Sequence, residues 1–164
     1  MAVRDSMLPE YDQEIATTRR FLERIPERDA GWRPHAKSMP LGDLAVHIAA
    51  LPWWLAMTLT TTEVDVATMP QPPAFATTAE LLARFDANAA AGRAALARAT
   101  EADLALAWSL RSGAQVFFTA PRGAVLRSFV LSHLIHHRAQ LGVYLRLRDV
   151  PLPFCYGPSA DSAG

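Results

Sequence analysis

The chain has one cysteine, Cys155, and one lysine, Lys37, among 164 residues. A lone cysteine excludes an intrachain disulfide and any thiolate cluster for zinc. A metal held by this chain is therefore held through nitrogen and oxygen. Neither charge is in excess, because sixteen Lys+Arg balance sixteen Asp+Glu. Nucleic acids and anionic membranes select basic surfaces, so neither is expected as a partner. No run of eighteen apolar residues passes without a polar one. The most apolar stretch, 41–59, contains Asp43, His47 and Pro52, and no membrane span is expected from it. Met1-Ala-Val-Arg-Asp-Ser leads straight into an amphipathic segment without the pattern of a signal peptide, which makes the cytoplasm the expected location. Also missing are a Gly-rich phosphate loop, a Ser-His-Asp arrangement and a pair of catalytic carboxylates.

What the chain does have is helical periodicity. Hydrophobic residues make up 51%, enough to bury a core in one domain spanning 1–164. Leu8, Tyr11, Ile15, Thr18, Leu22 and Ile25 recur at three- and four-residue spacing and predict a first helix over 7–25, stopped by Pro26. A loop over 28–39 follows, carrying Trp32 and His35. Ser38 is an N-cap candidate for the second helix, with Pro40 in its first turn. Leu41, Leu44, Ile48, Leu51 and Leu55 form its apolar stripe, and Pro52 predicts a kink or an early end. Residues 60–77, a threonine run followed by Pro70, Pro72 and Pro73, read as a long crossover without a helix of its own. Thr78 opens an alanine-rich third helix over 79–99. The runs 104–110 and 115–119, separated by a glycine turn, predict a short β-hairpin. Thr119 then caps a fourth helix, with Pro121 in its first turn, running to about Arg148. The fold expected is all-α: a four-helix bundle with one long crossover and a short hairpin before the last helix.

The chemistry is concentrated in Ser132-His133-Leu134-Ile135-His136-His137-Arg138, which holds three of the five histidines. Residues four apart on a helix differ by about 40° in azimuth, one turn above the other. His133 and His137 can thus aim two imidazoles at one point, the helical His-x-x-x-His arrangement that grips a transition metal. Both occupy a stripe with Leu126, Phe129, Tyr144 and Leu147, with Val130, Leu134, Leu141 and Leu145 beside it, where an unpartnered imidazole would cost about 1–3 kcal/mol. His47, within the apolar stripe of the second helix, is the third ligand candidate. His136 is the rival to His137, since an i, i+3 pair can also converge; His35 is assigned to the loop surface. Three neutral imidazoles suit zinc, nickel, iron, cobalt or manganese and leave a coordination position open for water or a thiol. Gln140 and Arg138 flank the pair, with Arg138 expected at the surface. Trp53, Trp54 and Tyr144 are read as packing residues, and Cys155 as remote from the metal.

Taken together, several segments resemble the DinB-like (damage-inducible) metal-binding superfamily. They are Glu14-Ile-Ala-Thr-Thr-Arg-Arg-Phe-Leu, Trp32-Arg-Pro-His-Ala-Lys-Ser-Met, Leu41-Gly-Asp-Leu-Ala-Val-His47, the hairpin, Ser132-His133-Leu-Ile-His-His137-Arg-Ala-Gln-Leu and Tyr156-Gly-Pro-Ser-Ala-Asp161. The resemblance spans nearly the whole chain. It implies a four-helix bundle, a divalent metal on His47, His133 and His137, and frequent homodimers. Members with assigned activities include thiol-dependent S-transferases, in which the metal activates a low-molecular-weight thiol. The expected function is a metal-dependent transferase or hydrolase acting on a small-molecule substrate. The alternatives are a non-catalytic metal-binding dimer with a stress-related or interaction role, and a bundle whose histidines bind nothing.

Overall fold

A computed structural model describes residues 3–161. The elements in order are α1 (Val3–Leu22), α2 (Leu41–Thr60), β1 (Glu63–Asp65), α3 (Thr78–Arg98), α4 (Glu101–Ala105), β2 (Ala107–Ser112), β3 (Gln115–Pro121), α5 (Arg122–Val125), a π-helical segment (Leu126–Leu131) and α6 (Ser132–Leu147). The last three run on without a break, so four long helical rods pack as a bundle. The mostly helical bundle with a hairpin before its last rod is the fold observed, and a third strand, β1, extends that hairpin to a small sheet.

The central helix is α2. Leu41, Leu44, Ile48, Leu51 and Leu55 are all fully buried, and they join Phe21, Phe85 and Leu141 or Leu96 and Leu126 from the other rods. By length and hydropathy this helix could cross a membrane, but 61% of it lies inside the bundle, the burial of a core helix. Pro52 neither ends it nor starts a new element. The proline lacks one backbone donor, and α3 supports the stretch: Asn88 Nδ2 donates to the Ala49 carbonyl at 2.9 Å. The two helices also approach closely at Gly92. A Cβ there would sit 2.6 Å from the Tyr11 hydroxyl and 2.9 Å from the Pro52 carbonyl oxygen.

Several boundaries differ from expectation for identifiable reasons. The first helix begins at Val3 and ends at Leu22, short of Ile25. Pro40, not Ser38, occupies the N-cap position of α2. Thr77 caps α3, its hydroxyl accepting from the Glu80 amide. Leu104 falls in α4, which a reciprocal Thr100–Asp103 capping box starts before the hairpin. Thr119 pairs with Ser109 inside the hairpin rather than capping a helix, so β3 runs on to Pro121. Residues 60–77 also hold more structure than a loop. They contribute β1, parallel to β2, and a 3₁₀ turn at Val66–Thr68. The ties are non-local: Arg111 pairs with both Glu63 and Asp65, and the Gly113 amide donates to Asp65. The sheet order is β1-β2-β3. Fully buried Trp108 anchors it to the bundle, its indole donating to Thr61 Oγ1 at 3.1 Å at the end of α2.

Candidate metal centre

Three imidazoles converge where α2 faces α6. His47 Nε2 lies 3.2 Å from His133 Nε2. The ring centroids of His47 and His137 are 4.5 Å apart, and those of His133 and His137 are 4.6 Å apart. One ligand atom from each of the three lies within 4.8 Å of the others. Metal–imidazole bonds of about 2.0–2.1 Å place neighbouring nitrogens about 2.8–3.4 Å apart across octahedral and tetrahedral coordination. The His47–His133 spacing falls inside that window, so the donor set fits a divalent transition metal.

The rings are in the protonation state a metal needs. Burial, together with neighbouring His137 and His133, lowers the pKa of His47 from 6.5 to about 4. Burial also lowers His133 and His137, with His136 contributing to both, while a hydrogen bond with the Phe129 backbone opposes the shift at His133. All three are therefore neutral at pH 7, with lone pairs available. Gln140 settles the tautomer of His137. Its Oε1 lies 2.7 Å from Nδ1, and an amide oxygen accepts only, so the ring proton sits on Nδ1 and Nε2 is left to coordinate.

His136, the rival ligand, is exposed. Its ring stacks edge-on against His137 with centroids 4.9 Å apart, but it lies outside the converging trio. His35 is exposed in the loop, its Nδ1 accepting from the Lys37 amide. Cys155 packs, partly buried, against the core cluster of α1 and α2 and does not join the histidines. Tyr144 is buried and donates to the Met39 carbonyl at 3.2 Å. Trp54 packs edge-on against Phe129, whose ring is 5.7 Å from that of His133. The aromatic pair walls the side of the trio nearest the hairpin.

Two features of this region differ from the expected picture. Leu126, Val130, Leu134, Leu141, Tyr144 and Leu145 of the last rod are buried as expected, but Leu147, expected in the same stripe, is 54% exposed. The histidines therefore sit at the edge of the core, each partly buried, where a ligand can reach them. A π-helical segment lies just before α6. It shifts the register of side chains before and after it, and Ser132 Oγ donates back to the Arg127 carbonyl five residues earlier. Nothing in a residue pattern of period 3.6 announces such a segment.

Arg138 is the second correction. Expected at the surface, it is 2% exposed. Its guanidinium meets Glu14 of α1 at 2.6 Å, also contacts the Glu14 carbonyl and Thr18 Oγ1, and donates to the Tyr156 hydroxyl at 2.6 Å. Tyr156 in turn donates to the Glu14 carboxylate at 2.9 Å. This network, buried at Glu14, Thr18 and Arg138 and closed by the exposed Tyr156, ties α1, α6 and the C-terminal segment together. Glu14, itself inside the apolar pattern of α1, was the available signal for it.

The family and the fold both have known counterparts. A family model of the DinB superfamily matches residues 10–141. The fold is similar to the crystal structure of a DinB-like protein from Bacillus subtilis, 19% identical, with a TM-score of 0.71 over 94% of this chain and 99% of that one. A DinB-like protein from Bacillus cereus, 21% identical, matches with a TM-score of 0.68 over 92% of this chain and 95% of that one. No curated protein matches the chain.

Proposed function

The chain belongs to the DinB superfamily, and on that footing we propose that it is a metal-dependent transferase or hydrolase using a three-histidine site. His47, His133 and His137 hold the divalent metal, which is zinc, nickel, iron, cobalt or manganese by donor type. The observation that carries the reading is the 3.2 Å approach of two Nε2 atoms from different helices, with a third imidazole beside them. Bound there, the metal supplies Lewis acidity that lowers the pKa of a coordinated water or small-molecule thiol.

The chain's own residues prepare for that chemistry. Burial keeps the imidazoles neutral, and Gln140 orients His137. Three protein ligands leave a position open, the pattern of catalytic rather than structural sites. Trp54 and Phe129 keep one side of the centre apolar, limiting water there. A cytoplasmic homodimer is part of the same proposal, and exposed Val143 and Leu147 on α6 offer the apolar surface for it.

The test has two arms. Elemental analysis of untagged protein should find about one metal per chain, lost in His133→Ala. Turnover assays with low-molecular-weight thiols and electrophiles should then show metal-dependent activity. Retained metal without turnover would favour the alternative, a non-catalytic metal-binding dimer. Unchanged metal content in His133→Ala would remove the site as assigned.

A further inference from the structure

An open cleft of about 320 Å³ lies beside His47. Asp43, His47 and Ala50 line it from α2, and Gln71, Pro72 and Ala74 line it from the crossover. Asp43 precedes His47 by four residues, so both side chains project from the same side of the helix, one turn apart. Asp43 is exposed, and its carboxylate makes no hydrogen bond or ion pair among the described residues. Asp29, Asp65 and Asp161, by contrast, are each held by an arginine. A negative charge near the start of α2 suits the helix dipole. That accounts for the charge near the helix start, but not for its position at the mouth of a cleft next to a candidate metal ligand.

The facing wall is an exposed stretch of the crossover that is tied down at two points. Pro72 and Pro73 fix two backbone angles, and Arg84 Nη1 donates to the Pro73 carbonyl at 3.1 Å. Gly42 lets the crossover lie against α2, since a Cβ there would sit 3.1 Å from Phe75 Cβ. The cleft stands open in this structure, as small-molecule sites usually do.

We propose that this cleft is the recognition half of the metal centre and that Asp43 selects substrates carrying a protonated amine. The ammonium group meets the Asp43 carboxylate and the Gln71 side-chain amide adds a hydrogen bond, while the reacting end of the molecule points toward His47. The assignment of a reacting end rests on the proposed function; the ammonium subsite does not. Asp43 is a specificity-determining residue in this account and takes no part in bond making.

The test uses the full chain in two states. In metal-free protein, backbone-amide NMR follows titrations with n-butylammonium and with n-butanol. Saturable shifts at 43–47 and at Gln71 and Ala74 are expected at about threefold lower concentration of the ammonium or better, the range of a partly exposed ion pair. That preference disappears in Asp43→Asn and persists in Asp43→Glu. In cobalt-loaded protein, thiolate-to-cobalt absorption reports binding of cysteamine and of 2-mercaptoethanol. The affinity ratio between them falls about threefold or more in Asp43→Asn, with cobalt stoichiometry unchanged. Equal response to ammonium and alcohol in the wild type, or a ratio untouched by Asp43→Asn, overturns the subsite. An intact ammonium preference in protein that takes up no cobalt supports the subsite and overturns the proposed function instead.

Discussion

Replacing Arg138 with leucine tests how the bundle holds α6 in place beside the histidines. The arginine is 2% exposed and Glu14 is 4% exposed. Truncation leaves a buried carboxylate whose remaining side-chain partner is the Tyr156 hydroxyl, at 2.9 and 3.0 Å. Removing one member of a buried ion pair costs roughly 3–5 kcal/mol, because the other charge stays desolvated and unpaired. For a chain of this size each kcal/mol corresponds to roughly 2–4 °C, so the midpoint should fall by about 6–20 °C. Thermal melts followed by circular dichroism, with EDTA present to remove metal effects, measure the midpoint, and urea denaturation measures the free energy. The Glu14→Leu/Arg138→Leu pair should recover most of the loss, since apolar residues of similar volume often replace a buried pair at little cost. A single-variant loss below about 1 kcal/mol would mean a water-screened pair. A double variant no better than the single one would equally refute the reasoning.

Other expectations follow from the same geometry. Metal-free protein should be most stable above about pH 6.5 and lose stability as pH falls toward 4. The unfolded chain takes up protons near 6.5, whereas folded His47 resists until about 4; thermal melts across that range check the sign, and a flat profile would contradict it. Gln140→Ala should weaken metal affinity by about tenfold or more, because His137 loses the partner that fixes its tautomer; competition with a chelator reads this. Gly92→Ala should destabilise by about 1–3 kcal/mol, since its methyl collides with Tyr11 and the Pro52 carbonyl, and urea midpoints measure it. Thr100→Ala should cost about 1 kcal/mol through loss of the capping box before the hairpin.

The helices and the histidine trio were legible in the residues because both depend on local spacing. Leu41, Leu44, Ile48, Leu51 and Leu55 share one face of α2 by periodicity alone, and His133 and His137 share another by the same rule. His47 joined them only through the bundle, yet its place in the α2 stripe already aimed it inward. What escaped was set by partners distant in sequence. β1 exists because Arg111 and Gly113 meet Glu63 and Asp65 across some 46 to 48 residues. Arg138 is buried because Glu14 and Tyr156 wait for it on two other segments. The π-helical segment reflects backbone registration against neighbouring rods, which no residue count along one helix reveals.

The account stands most directly on where a metal sits. Crystals soaked with zinc or cobalt, with data collected at the metal edge, should give one anomalous peak per chain. It should lie about 2.0–2.1 Å from ring nitrogens of His47, His133 and His137. A peak bound through His136 in place of His137, or no peak between α2 and α6, would contradict it.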